Sequence, residues 1–235
     1  MRLKSFLIST LMTTCLSTVS FHSAQAAIQA MASRVIYEGQ AKATTLALRN
    51  NANQAYMVQS WLEAGEDGIK NAKIPFVITP PLVKIESQKE TVIRFIYAGA
   101  GLPQDRESQF WVNIQEIPPK PEQENILQLA VRTKLKLFYR PQQLDLQLAD
   151  AVKQLKWYMK DQTLYLENKS PLYVTIGDLK LNDQAKVVDN LNQDMVPPFG
   201  RIAVLNNLPQ STQRIHYTYI NEYGGNDAMP TVQLK

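Results

Sequence analysis

"NILQLAVRTKLKLFYR", residues 125–140, alternates apolar and polar residues and stops on Arg140 before Pro141. Successive side chains of a strand point to opposite faces. Leu127, Leu129 and Val131 therefore share one side, and Gln128, Ala130 and Arg132 the other. Two readings follow. In the first, the three apolar residues belong to the protein's own core, and Lys134 and Lys136 guard an edge against aggregation. In the second, the strand is an edge offered to a partner, adding itself to another sheet and inserting alternate apolar residues. For an isolated strand the first is preferred.

Outward from this stretch the chain is almost entirely short strands punctuated by turn residues, as expected of β-sandwich architecture. "SRVIYEG", "ATTLALRN" and "AYMVQSWLE" precede it, the last with Tyr56, Val58, Ser60 and Leu62 on one face and Met57, Gln59 and Trp61 on the other. "PFVITPPLVKIES" carries Pro80 and Pro81, which cannot donate to a central ladder, so it reads as an edge or a bend, with a cis peptide as an option. "ETVIRFIYAG" and "SQFWVNIQEI" complete this series, and the 125–140 stretch is its longest strand. After Pro141, "PQQLDLQLADAVKQ" reads as a connector with a short helical turn. A second series follows: "LKWYMK", "TLYLEN", "LYVTIGDLKLN", "AKVVDN", "GRIAVLN" and "RIHYTYINEY". The expectation is an all-β protein of two sandwich domains, residues 27–143 and 144–235.

The first residues set the compartment. Arg2 and Lys4 precede the apolar and small-residue run "SFLISTLMTTCLSTVS" and then "AQA" at Ala24–Ala26, the pattern of a cleavable secretory signal over residues 1–26. A buried amphipathic helix is the alternative. The run is too short and too rich in Ser and Thr to span a bilayer. Cleavage removes Cys15, the only cysteine, and so excludes thiol catalysis, thiolate metal sites and disulfides. It also removes His22, leaving His216 alone, so no histidine metal cluster is expected. His216 lies in the alternating stretch "RIHYTYI" and reads as a strand residue rather than part of a catalytic triad.

Loss of Arg2 and Lys4 leaves 23 basic against 21 acidic residues, and the chain has no dense basic block, so nucleic acid is not an expected partner. There is no glycine-rich phosphate loop, no Gly-x-Ser-x-Gly elbow and no helix of spaced metal ligands. The paired carboxylates Glu66 and Asp67, and Glu122 and Glu124, lie in turn-like segments and read as solvated surface. No catalytic residue, cofactor or metal is assigned, and the protein reads as a binding module rather than an enzyme.

"GLPQDRESQFWVNIQEIPP", residues 101–119, resembles the signature region of the periplasmic pilus assembly chaperones of the chaperone-usher system. The resemblance runs along the whole exported chain: "SRVIYEGQ", "QSWLE", "FVITPPL", "NILQLAVRTKLKLFYRP", "ENKSPLYVT", "MVPPFG" and "YINEYGG" fall in the expected order. It implies two immunoglobulin-like domains in an L or boomerang, with pilus subunits bound along the first domain and in the cleft. Each subunit lacks its last strand, and the long strand would fill the gap with Leu127, Leu129 and Val131. Arg34 and Lys136 match the positions that anchor the subunit's C-terminal carboxylate. Glu107, Arg140 and Glu222 match an interdomain ion-pair network, with Glu222 standing where the family more often has Asp. The short "PPKPEQENI" connection and the missing cysteine pair resemble the family's short-loop branch.

Two fixed cations on one carboxylate would set where the partner strand starts, and hence its register. One difficulty remains in the count: by twos from Leu127, Lys136 falls on the opposite side from the three apolar residues. A bulge, a change of sheet, or a partner running past the edge to meet both faces would reconcile them. The function implied is a periplasmic chaperone that folds and caps fimbrial subunits by donor-strand complementation and delivers them to an outer-membrane usher. Its exposed apolar edge leads us to expect self-association when empty. The rival reading is a structural pilin or surface adhesin, also an exported β-sandwich.

Overall fold

The computed structural model describes residues 26–65, 74–121 and 127–234. Residues 1–25, with Cys15 and His22, and the carboxylate pairs at 66–67 and 122 and 124 lie outside the described residues. The first series of strands is β1 (Ile28–Ala30), β2 (Arg34–Glu38), β3 (Thr44–Asn50), β4 (Tyr56–Ala64), β5 (Phe76–Thr79), β6 (Leu82–Ile85), β7 (Glu90–Tyr97), β8 (Ser108–Ile117) and β9 (Arg132–Arg140). They form a four-stranded sheet in the order β1-β3-β7-β5 and a five-stranded sheet in the order β2-β9-β8-β4-β6. Between the sheets lie Val35 and Tyr37, Leu46 and Leu48, Val58, Ile93 and Phe95, Phe110, Val112 and Ile114, and Leu135, Leu137 and Tyr139. Each set follows the period-two pattern of its strand, which is why alternation alone located them.

Pro80 and Pro81 mark a change of sheet. β5 pairs with β7 in one sheet and β6 with β4 in the other, each at an edge, and the Thr79–Pro80 peptide is cis. At edges and corners the missing proline N–H costs no ladder bond.

A short helix, Leu148–Val152, follows β9 and leads to the second series. This comprises β10 (Leu155–Lys160), β11 (Thr163–Asn168), β12 (Val174–Leu181), β13 (Met195–Val196), β14 (Arg201–Leu205), β15 (Arg214–Ile220), β16 (Asn226–Ala228) and β17 (Val232–Gln233). β10-β11-β14 form one sheet and β13-β12-β15-β16 the other, with β17 also on β15. The helix contributes Leu148, Ala151 and Val152 to a core built around Trp157, Leu164, Leu166, Val174, Ile176, Val204 and Ile215. In each half a buried asparagine at a strand's end ties loops together. The Asn50 side-chain amide donates to the carbonyls of Gln54, Ile85 and Glu86, and that of Asn168 to those of Leu172 and Pro197. The Glu86 and Pro197 carbonyls also accept the backbone N–H of Lys89 and Gly200, so each asparagine reinforces a closed turn.

Three expectations are corrected. "AKVVDN" is not a strand: Val188 makes one backbone bond, to Leu179, and the segment ends on Asn190 with φ of 62°. A single bond does not make a ladder, and the left-handed residue turns the chain away. Strand β9 starts at Arg132 rather than Asn125, so the ten-residue β8, not β9, is the longest. Its neighbour explains the late start: β8 stops at Ile117, the Glu116 N–H to Val131 carbonyl bond is the last between them, and Pro118 and Pro119 have no N–H to continue the ladder. Finally, the own-core reading of Leu127, Leu129 and Val131, preferred only for the strand taken in isolation, does not hold. The three residues are 84%, 74% and 40% exposed.

Candidate functional site

The site begins with an unequal flanking of β9. On one side β8 runs antiparallel to it, from Gln115 opposite Arg132 to Ser108 opposite Tyr139. On the other, β2 runs parallel but covers only Lys136 to Arg140. Residues 132–135 therefore have a sheet neighbour on one side only, and residues 127–131 extend beyond the sandwich. An edge of this kind is a ready template for another strand. Beside it, Ala26, Ile28, Gln29, Ala30, Ala32 and Ser33 line a groove closed on the far side by Thr133, Lys134 and Leu135.

The open edge ends at two cations. Arg34, the first residue of β2, stands opposite Lys136 in the parallel register. Arg34 is half-buried, its Nη1 reaches the Ile220 carbonyl of the second sandwich at 3.4 Å, and its buried Nε has no hydrogen-bond partner among the described residues. Burial lowers its pKa, opposed by the nearby charges of Asp194, Glu107 and Glu222. Lys136 Nζ lies 5.8 Å from the centre of the Trp111 ring, a cation–π distance. Across from it, Asn192, Gln193, Asp194 and Met195 complete the wall of a cavity of about 260 Å³.

The β8–β9 register runs without a shift. Leu135, Leu137 and Tyr139 point into the core, so Lys134, Lys136 and Phe138 face the other way. No bulge or sheet change within the ladder brings Lys136 round to the core-facing side. Lys134 shares the outer face and is held there by Glu63 at 2.9 Å and by the Trp111 ring at 4.9 Å. That hydrogen bond from Lys134 holds the Glu63 pKa below its usual value.

Behind the cations, Arg140 joins the two sandwiches. Buried itself, it contacts Glu107 at 2.9 Å, Glu222 at 2.6 Å and Glu38 at 3.5 Å. Glu107 uses its second oxygen to accept the Tyr173 backbone N–H at 2.8 Å. Burial pushes the Glu107 pKa up to about 6, against the pull of Arg140. For Arg140 burial acts downward but the two acids outweigh it, and its pKa is raised. Both shifts are upward because Glu107 is the more deeply buried partner, and desolvation there exceeds what one shared guanidinium returns. Gly224, at φ of 89°, packs against the Ser33 hydroxyl with no room for a Cβ, so the second sandwich approaches closely beside Arg34.

The structure thus brings Arg34 next to Lys136, and Arg140 onto Glu107 and Glu222. It leaves Leu127, Leu129 and Val131 projecting from the other end of the same edge. Sequence reasoning missed Trp111, the platform under both lysines, and Asp194, which sits one residue before the "MVPPFG" motif. Their spacing carries no signal; only the packed cleft puts them beside Lys136.

A two-sandwich protein with an open edge leading to a cationic cleft has the form of a binding module that can pair with a partner strand. Its two halves match the models described as pili and flagellar-assembly chaperone, PapD N-terminal domain, over residues 27–145, and pili assembly chaperone PapD, C-terminal domain, over residues 150–231. The probable fimbrial chaperone YadV of Escherichia coli K12 is 36% identical over 229 residues, covering 90% of this chain and 91% of that one. The chaperone protein FimC of the same strain is 39% identical over 207 residues, 86% and 82% of the two chains. The crystal structure of the YadV chaperone superposes with a TM-score of 0.75 at 33% identity, covering 89% of this chain and all 100% of that one. A chain from the complex of the Salmonella enterica SafA pilin with the SafB chaperone gives 0.78 at 28% identity, covering 90% and 98%. The chain belongs to the PapD-like pili assembly chaperone family. The relatives are chaperones, and the pilin reading is set aside.

Proposed function

We propose that this protein is a periplasmic chaperone that binds, folds and caps pilus subunits by donor-strand complementation and passes them to an outer-membrane usher. Residues 1–26 would act as the cleaved export signal, and residues 27–143 and 144–235 as the two domains. The observation that carries this reading is the open edge at residues 127–135, which ends at Arg34 and Lys136. Leu127, Leu129 and Val131 have the same parity as Leu135 and Leu137. The apolar row that fills this protein's core would continue beyond its own sandwich into a subunit's core. Each plug so buried contributes about 1.5 to 3 kcal/mol before ordering costs.

The C-terminal strand that the incomplete subunit does possess would run along the open side of β9, with its terminal carboxylate received by Arg34 and Lys136. A strand at the edge can meet the plugs with its apolar face while its terminal carboxylate reaches cations on the other, which removes the parity difficulty. The Arg34 Nε, which has no hydrogen-bond partner among the described residues, supports an acceptor at this position. No covalent step is involved. The empty edge supports self-association of the free chaperone, which sedimentation at several concentrations would detect. The function is tested by co-expression with pilus subunits in the periplasm. A subunit should co-purify with the wild type and be lost with Arg34→Ala or Lys136→Ala; unchanged recovery with both variants would contradict the reading.

A further inference from the structure

We propose that Asp194 is a built-in counter-charge of the Arg34–Lys136 clamp, a residue that lowers the clamp's hold on every anion alike, so that only a carboxylate whose strand also pairs along β9 is held tightly. The inference rests on the reading above that these cations receive a partner's terminal carboxylate. Asp194 lies in the wall of the cavity that holds Lys136 and Trp111. It is placed there by its backbone: its carbonyl accepts the Ile176 N–H at 2.7 Å, and the next residue, Met195, pairs with Thr175 in the β12–β13 ladder. Asp194 is exposed and lines this cavity. Three acids act on Arg34, and Asp194 acts most strongly, ahead of Glu107 and Glu222. The other two are engaged by Arg140, so Asp194 is the acid of the three that faces the clamp without that commitment.

Two cations alone would make the cleft a general anion site. One acid beside them halves the net charge that any incoming anion meets. A free acetate or phosphate ion has only this charge to gain, so the reduction falls on its whole affinity. A strand ending in a carboxylate also gains backbone bonds along β9 and burial of apolar side chains, so it keeps most of its affinity. In the empty protein the same acid offsets part of the cost of holding a half-buried guanidinium.

The test measures binding of inorganic phosphate and of a synthetic alternating apolar peptide, with its C-terminus free or amidated, to wild type, Asp194→Asn and Asp194→Glu. At low salt, Asp194→Asn should bind phosphate and the free-acid peptide about threefold to tenfold more tightly, the gain shrinking as salt rises. The amidated peptide should be unaffected, and Asp194→Glu should behave as wild type. Unchanged or weaker binding of the free-acid peptide, or equal tightening of the amidated one, would overturn the assignment. Arg34→Ala separates the two layers. If the wild type does not prefer the free acid, or the preference survives Arg34→Ala, the carboxylate clamp fails and this inference with it. If the preference depends on Arg34 but ignores Asp194→Asn, the Asp194 assignment alone fails.

Discussion

Arg34 and Lys136 are cross-strand neighbours in the parallel pairing of β2 with β9. Residues adjacent in this way would grip one carboxylate as a unit, and a unit does not lose its parts additively. Removing either cation should cost about 2 to 5 kcal/mol of subunit affinity. The double variant Arg34→Ala with Lys136→Ala should cost clearly less than the sum, as titration of purified subunit complexes would measure.

The plugs separate binding from folding. Leu129 is 74% exposed and touches no part of the core, so Leu129→Glu should leave stability within about 0.5 kcal/mol of wild type. Subunit binding should be abolished, because a carboxylate would enter an apolar groove without a partner. Thermal melting and co-purification on the same variant check both halves; a collapse of the fold would place Leu129 in this protein's own core.

Arg140 should behave oppositely. Arg140→Met leaves the buried Glu107 without its cation and loosens Glu222, a loss of about 3 to 5 kcal/mol by urea unfolding. Subunit affinity should fall as a consequence, since Glu222 and the Ile220 carbonyl beside Arg34 belong to the same strand end.

Glu107 gives a pH signature. Its pKa is raised from 4.5 to about 6 in the folded protein. Between those values the folded state holds more proton than the unfolded chain. Its contribution to stability is therefore full below the unfolded pKa and lost as pH rises through the folded one. Glu107→Gln lacks this titration, so relative to the variant the wild type should lose about 2 kcal/mol between about pH 4 and about pH 7. Urea titrations of both proteins across that range check the sign; a wild type that gains on the variant as pH rises would contradict it.

Much of the fold was legible because burial follows strand parity: Val58 and Ser60, Leu46 and Leu48, and Ile93 and Phe95 each fall on the inward row. The short strands β1, β13, β16 and β17 were not, since two or three residues show no periodicity and exist only through their partners, as Ile28 does through Asn50 and the Glu116 side chain. The start of β9 was also misread. Alternation at 127–131 has the same form whether the apolar row meets its own core or another's, and what ends the ladder is Pro118 on the neighbouring strand. The cation pair became legible through family resemblance, because residues about a hundred positions apart leave no local pattern. The platform of Trp111 and the acid at 194 needed the packed cleft.

If the proposed function holds, residues 127–131 become a strand, and the open side of residues 132–135 becomes paired, only when a subunit is bound. Amide hydrogen exchange on the free chaperone and on its purified subunit complex tests this directly. Rapid exchange is expected in the free protein for those amides of 127–135 that do not bond to β8, and strong protection of the same amides in the complex, with Arg34 and its neighbours protected as well. Equal, rapid exchange of the segment in both states, with new protection confined to other surfaces, would contradict it.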